Sequence, residues 1–356
     1  MPGPYDKSRD DLAHLLADQP PYRVAQVWRA LHVAARRPAE MTDLPPDLRA
    51  RLEQALPPAL VPVQRSVADQ GATVKWLWRL HDGAQVETVL MHYRDRTTVC
   101  VSSQAGCAMG CSFCATGQAG FTRHLTSGEI VEQVVAAIRE ARDRPEGPAR
   151  VSNVVFMGMG EPLANYDRLW AAIRRLHDDI GISARHLTVS TVGVVPGIRR
   201  LAAEDLPVNL AVSLHAANDA LRNRLVPLNR RYPLSVLVAA CHDYATVKNR
   251  RLSFEWALID AVNDGDGDAE QLADLARPLG AHVNLIPLNP TPGYPAIGSP
   301  ARRVAQFRAL LGELGVNATV RRNRGTDIDA ACGQLAARHG GIPGAVAVAA
   351  PGRRRA

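Results

Sequence analysis

Three cysteines carry the most specific chemical signal in this chain. They lie in Gly106-Cys107-Ala108-Met109-Gly110-Cys111-Ser112-Phe113-Cys114, at C-x3-C-x2-C spacing among small neighbours. Three thiolates on one short loop can hold three irons of a [4Fe–4S] cluster and leave the fourth iron without a protein ligand. Structural zinc is the competing chemistry. Zinc usually takes four Cys or His ligands, often as two separated pairs. His124, the nearest histidine, lies ten residues beyond Cys114, an awkward distance for closing that shell.

An open iron can bind a small molecule, and S-adenosylmethionine chelates such an iron through its amino and carboxylate groups. The loop therefore resembles that of the radical S-adenosylmethionine superfamily. The other cysteines differ in setting. Cys100 lies in a β-branched stretch seven residues before the loop; a lone strand cysteine is usually a small core residue. Cys332 precedes a glycine in Asp327-Ile328-Asp329-Ala330-Ala331-Cys332-Gly333, a setting better suited to reactivity. Cys241 sits in an apolar helical stretch and reads as core.

The elements that must position these residues alternate. Strands are expected at Thr97–Ser102, Asn153–Met157, His186–Thr191, Val208–Leu214, Leu252–Ile259 and His282–Leu288, with helices between them, such as Leu169–Leu176 and Val304–Leu314. Thr126-Ser127-Gly128-Glu129 is a capping box opening a helix with one apolar face. Six β/α units predict an α/β fold, a parallel sheet curved into a partial (β/α)6 barrel. Chemistry in such folds sits at the C-terminal ends of the strands. There the chain places Gly158-Met159-Gly160-Glu161-Pro162, then Ser190-Thr191, then Ser213-Leu214-His215 and finally Asn289. Glycines let backbone approach a ligand, and the carboxylate of Glu161 could bind an ammonium group. Singly, each residue reads as a cap, a turn or a structural histidine; their agreement across four strands marks one ligand-facing rim.

Ahead of this core, residues 8–60 carry helical stripes: Leu12, Leu15 and Leu16; Val24, Val27, Trp28 and Leu31; Leu48, Leu52 and Leu56. Pro57, Pro58 and Pro62 end that region. The period then changes to two, with strands at Val74–Leu80 and Gln85–Tyr93 around a His81-Asp82-Gly83-Ala84 turn. Glu87 lies in the second and reads locally as an exposed strand carboxylate. The expected domains are residues 1–62 (helical accessory), 63–92 (β extension), 93–331 (core) and 332–356 (catalytic loop and basic tail).

The whole chain has 356 residues, 46% of them hydrophobic, with no apolar run approaching the roughly 18 residues of a membrane span. Its N-terminus lacks a signal-peptide pattern, and six cysteines are too few for a disulfide scaffold. A cytoplasmic protein is expected. Lys and Arg outnumber Asp and Glu by 42 to 35, a formal charge of +7, which suits either a solvated surface or a nucleic-acid partner. Basic clusters occur at Arg222-Asn223-Arg224, Arg230-Arg231, Arg250-Arg251, Arg321-Arg322-Asn323-Arg324 and the tail Pro351–Ala356.

Taken together, Cys100 to Cys107, Phe156 to Pro162, Ser213-Leu214-His215, Asn284 to Pro290 and Asp327 to Leu335 resemble the RlmN family, bacterial dual-specificity adenosine carbon-2 RNA methyltransferases of the radical S-adenosylmethionine type. The resemblance spans residues 20–340. It implies methylation of carbon 2 of adenosine in 23S rRNA, at the peptidyl transferase centre, and in tRNA, 3′ of the anticodon. It implies a [4Fe–4S] cluster on Cys107, Cys111 and Cys114, and S-adenosylmethionine held by Gly160, Glu161, Ser190, Ser213, Leu214, His215 and Asn289. Two S-adenosylmethionine molecules serve each turnover. Cys332 becomes the methyl-carrying cysteine and Cys100 its resolving partner through a transient disulfide. Glu87 becomes the general base, against its local reading. A monomer served by a cytoplasmic electron donor such as flavodoxin or ferredoxin, with no membrane, is expected, and the helical unit is expected to hold RNA. The nearest rival is a Cfr-like enzyme acting on carbon 8 of the same rRNA adenosine; Pro162 leans toward carbon 2. A cluster- or zinc-stabilised RNA-binding protein without catalysis is a rival of another class.

Overall fold

The apolar stripes read from the sequence are buried as helices. In the computed structural model, which describes residues 3–144, 148–250, 252–291, 293–321 and 324–337, α1 (Arg9–Leu15), α2 (Tyr22–His32) and α3 (Pro46–Ala55) come first. Leu12, Leu16, Val27, Trp28, Leu31, Leu48, Leu52 and Leu56 are buried. They join the same continuous core as the sheet that follows. Polar contacts fasten the junction. Trp28 Nε1 donates to Asp179 at 2.9 Å, and Asp6 accepts from the Gly128 N–H at 2.7 Å and from the Thr126 hydroxyl.

A meander of β1 (Val61–Ala68), β2 (Thr73–Arg79), β3 (Gln85–His92) and β4 (Thr97–Cys100) leads into the core. These pair antiparallel, with Leu77 opposite Glu87 and Val89 opposite Cys100. A small hairpin, β5 (Gln104–Gly106) and β6 (Phe121–His124), brackets the cysteine loop and the one-turn helix α4 (Ala115–Gln118). The parallel strands continue the sheet in chain order. They are β7 (Asn153–Phe156), β8 (Leu187–Thr191), β9 (Asn209–Ser213), β10 (Ser253–Leu258), β11 (His282–Pro287) and β12 (Ala318–Val320). The interleaved helices are α5 (Ser127–Arg142), α6 (Tyr166–Asp178), α7 (Val195–Ala203), α8 (Asp219–Leu225), α9 (Leu234–Lys248), α10 (Asp266–Ala276) and α11 (Ala301–Glu313).

The six expected strands are present within a residue or two of their expected ends. A further parallel strand, β12, extends the sheet beyond β11. Its three residues were too short to show a period. β12 matters because Arg321 follows it directly and because it aims the chain back toward the cysteine loop. The basic tail from Pro351, together with Arg251, Arg322 and Asn323, lies outside the described residues.

Glu132 of α5 sits at the junction with the helical unit, and its Oε2 accepts the Ala59 N–H at 3.0 Å. Burial raises its carboxyl from 4.5 to about 7. The folded state therefore binds the proton more tightly than the unfolded chain. Its stabilising share is complete below the unfolded value and is lost as pH rises through about 7. Glu132→Gln, which keeps an acceptor and removes the charge, should raise the melting temperature at pH 8 and leave it nearly unchanged at pH 5. The expected gain is on the order of 1–3 kcal/mol. Equal melting of the two proteins at pH 8 would contradict this.

Candidate active site

Burial and backbone geometry shape the cysteine loop. Gly106 has φ +74°, and a Cβ there would lie 2.0 Å from the Gly120 carbonyl. Cys111 is buried while Cys107 and Cys114 are partly exposed. All three line one cavity at the C-terminal ends of the parallel strands. Gly160, Glu161, Ser190, Ser213, His215, Asn289 and Cys332 line the same cavity. Cys100, Leu214 and Glu87 do not. Leu214 points into the core, and its backbone N–H donates to the Glu255 carbonyl at 3.0 Å.

The strand-end residues are fixed by their neighbours. A Cβ on Gly160, whose φ is +100°, would lie 2.5 Å from the Gln104 side chain. That close approach lets Gln104 Oε1 accept the Glu161 N–H at 2.7 Å. Glu161 is buried, and its carboxylate accepts from the Leu163 and Val192 N–H groups at 3.0 and 2.9 Å. Burial raises it to about 7, against those hydrogen bonds. A buried carboxylate in that state gains from a cationic ligand. His215 adopts φ +61° and accepts the Ala257 N–H on Nδ1 at 3.0 Å. Burial lowers it to about 3, so the ring is neutral and Nε2 carries the proton.

Hydrogen bonds from both sides pin the segment around Cys332. The Ala115 N–H donates to the Gly333 carbonyl at 2.8 Å, and the Thr116 hydroxyl to the Leu335 carbonyl at 2.5 Å. Asn289 Nδ2 donates to the Cys332 carbonyl at 3.0 Å. Cys332 thereby lines two adjoining cavities: the one with the cysteine loop, and a smaller one that also holds Cys100, Met157 and Arg321. Both cysteines are free thiols. Burial, then the neighbouring Cys332, pushes Cys100 up to about 12.

Glu87 is not the exposed strand carboxylate its local sequence suggests. It is buried, with Lys75 Nζ 2.8 Å from Oε1. Its Oε2 accepts the Ala336 and Ala337 N–H groups at 2.8 and 3.2 Å. The carboxylate thus lies under the Cys332 segment, in a polar cavity bordered by Asp327, Asp329 and Gln334.

Other residues at the site were not legible. Arg222 and Arg321 read in the sequence as members of basic surface clusters. Arg222 is 1% exposed, because α8 is amphipathic and turns it inward. Arg321 lines both cavities beside Cys332. Gln133 of α5 ties Ser102 to Thr88 by accepting from both, and Ser102 Oγ donates to the Glu87 carbonyl at 2.6 Å. Glutamines carry no spacing signature.

The donor set fits an iron–sulfur cluster. Among the described residues no three His, Cys, Asp or Glu side chains gather tightly enough to share one metal ion. Thiols spread along one cavity wall suit a cluster, where each takes a different iron. Burial pushes Cys107 up to about 12 and Cys111 well above its usual value. Bound iron would offset that cost by supplying positive charge to the thiolates.

Residues 101–275 match the Radical SAM superfamily. The chain is 53% identical over 348 residues to the probable dual-specificity RNA methyltransferase RlmN of Chloroflexus aurantiacus, covering 94% of this chain and 93% of that one. It is 55% identical over 347 residues to the protein of the same name from Frankia casuarinae, covering 95% and 82%. The crystal structure of a radical SAM methyltransferase from Sphaerobacter thermophilus superposes with a TM-score of 0.90 at 51% identity, covering 94% of this chain and 99% of that one. The fold and site define a radical S-adenosylmethionine enzyme, a class that works with a [4Fe–4S] cluster and S-adenosylmethionine. Within it, this chain belongs to the RlmN family of RNA methyltransferases.

Proposed function

We propose that this enzyme methylates carbon 2 of adenosine in 23S rRNA at the peptidyl transferase centre and in tRNA 3′ of the anticodon. The observation that carries the reading is the placement of Cys332, which borders the cysteine-loop cavity on one side and Cys100 on the other. Carbon 2 of adenine lies between two ring nitrogens and is electron-poor, so it does not attack a methyl sulfonium by simple displacement. A cysteine that carries the carbon, and a second that releases it, answer that problem.

In this reading Cys107, Cys111 and Cys114 hold the cluster, and Gly160, Glu161, Ser190, Ser213, His215 and Asn289 hold S-adenosylmethionine, with Leu214 supporting the turn between Ser213 and His215 from the core. When bound, these groups supply the methyl and the one-electron chemistry that activates it. The chain's own residues do the rest. Cys332 bears the carbon as a thioether; the one-electron chemistry would take a hydrogen atom from that carbon, which then bonds to carbon 2 of the adenine, and would take up the electron left over. Cys100 sulfur then attacks Cys332 sulfur. The S–S bond forms, the S–C bond breaks, and its electron pair stays with the base. Glu87 takes the ring proton as that bond breaks, and the proton lost by the Cys100 thiol is made up at the released carbon, which becomes the methyl group. The disulfide is re-reduced by thiol exchange before the next turnover. A carbon-8 activity uses the same cysteines. The test is mass spectrometry of adenosines from 23S rRNA and tRNA of cells with and without the gene. Loss of 2-methyladenosine from both RNAs supports the reading, and loss of 8-methyladenosine instead replaces it.

RNA affinity should fall steeply with salt, because each phosphate neutralised by Lys or Arg releases counterions. Exposed Arg224, Arg230 and Arg231 remain available for this after Arg222 is assigned to the interior. Binding measured by filter retention should drop roughly 10³-fold or more between 50 and 200 mM salt if about six phosphates are engaged. A flat response would remove the electrostatic account of docking.

A further inference from the structure

We infer that Arg222 is a positioning residue that sets the charge beside the cluster loop and ties that loop to the strand ends facing S-adenosylmethionine. The guanidinium is 1% exposed. Nε donates to the Leu214 carbonyl at 3.0 Å, Nη1 to Asn229 Oδ1 at 2.8 Å, and Nη2 to the Val192 and Ser213 carbonyls at 2.6 and 3.2 Å. Val192 directly follows β8, Ser213 ends β9 and Leu214 follows it. One planar fork thus holds the exits of both strands that carry Ser190, Ser213 and His215.

All four of these hydrogen bonds go to neutral acceptors. Asp219, the carboxylate on the same helix, is exposed; its Oδ1 instead accepts from Asn229 Nδ2 at 2.8 Å and from the Leu234 N–H at 2.9 Å. A buried cation without an ion-pair partner is costly. Burial lowers the pKa of Arg222 to about 10, and the neighbouring Cys111, then Cys241 and Asp219, oppose that fall. Packing brings α8 to the loop: Cys111 packs in one cluster with Leu221 and Leu225, which flank Arg222 in the chain, and the Ser112 N–H donates to the Leu225 carbonyl. Arg222 therefore presents its charge to a ligand thiolate from behind. Reduction adds a negative charge to an anionic cluster, and a fixed cation in a dry site favours that form.

This rests on the cluster reading of Cys107, Cys111 and Cys114, which the iron content of the anaerobically reconstituted wild type tests by itself. A wild type that takes up no iron sinks that reading and this inference together. With the wild type loaded, cluster reduction is followed by electron paramagnetic resonance in a redox titration. The Arg222→Gln protein should show a reduced-to-oxidised ratio about tenfold lower at a given potential, a shift of about 59 mV for one electron. The Arg222→Lys protein keeps the charge and loses the fork. Its potential should stay within about twofold of the wild-type ratio, while its affinity for S-adenosylmethionine, by equilibrium dialysis, weakens about tenfold. A merely structural arginine would give equal shifts in both variants or none in either, and either result overturns the inference. Should Arg222→Gln fail to fold, Arg222→Lys decides on both readouts: a ratio within about twofold of wild type together with S-adenosylmethionine affinity weakened about tenfold supports the inference, and a tenfold departure in the ratio or an unchanged affinity overturns it.

Discussion

Arg and Lys aside, one substitution should make the enzyme purify with its substrate attached: Cys100→Ala is expected to carry RNA covalently bound at Cys332. Cys332 sits on a segment pinned by Ala115, Thr116 and Asn289, so its sulfur is held at the mouth of the cysteine-loop cavity. Cys100 is a buried strand residue that meets it only across the smaller cavity. With its thiol held up to about 12, Cys100 is a poor nucleophile until something draws off its proton. That setting suits a resolving thiol, silent until the adduct with the base has formed. Removing it should leave the bond from carbon to adenine made and the bond from carbon to sulfur unbroken. Denaturing gels and mass spectrometry of nuclease-digested protein should find a nucleotide on Cys332. Cys332→Ala should hold no RNA and give no methylation. Cys241→Ala is the control: Cys241 is fully buried in α9, and its loss should cost on the order of 1 kcal/mol of stability with the chemistry intact. A crosslink in Cys332→Ala would exchange the two roles.

The alternation of strands and helices, and the rim of strand-end residues, were legible because the parallel strands are short, mostly apolar runs followed by polar residues. Cys107, Cys111 and Cys114 were legible as a set by their C-x3-C-x2-C spacing, and they line one cavity. What was not legible depends on contacts between distant segments. Glu87 lies more than 240 positions from Ala336, and only folding brings that amide onto its carboxylate. Arg222 and Arg321 were read as surface charge because a short sequence window does not say which way a helix or a strand end faces; the core around α8 and the cavities beside Cys332 decide it. β12 itself is made by pairing with β11 rather than by its own pattern.

Glu87→Gln should give the second large effect, a fall in methylation of about 10²–10⁴-fold, the usual contribution of a positioned base. The same variant also tests a competing job. The carboxylate pairs with Lys75 and accepts two amides of the segment just past Cys332, so it could serve only to hold that segment down. The two jobs fail at different stages. Gln keeps one oxygen for the amides and removes the basic charge. If Glu87 takes the ring proton, Cys332 is still methylated, the carbon still bonds to adenine, and the stalled adduct accumulates as in Cys100→Ala. If Glu87 only anchors, the segment loosens first, Cys332 acquires its methyl slowly and no adduct forms. Mass spectrometry of purified Glu87→Gln, read for S-methylcysteine and for nucleotide on Cys332, separates these outcomes, and the expected one is the adduct. Lys75→Met sharpens the comparison. It leaves the carboxylate in place but removes both its cation and the contact of Nζ with the Asp329 carbonyl at 3.3 Å, so it disturbs the anchor more than the base. Adduct in Glu87→Gln together with turnover retained in Lys75→Met would assign the proton to Glu87; the reverse pattern would leave Glu87 as a clamp on the Cys332 segment.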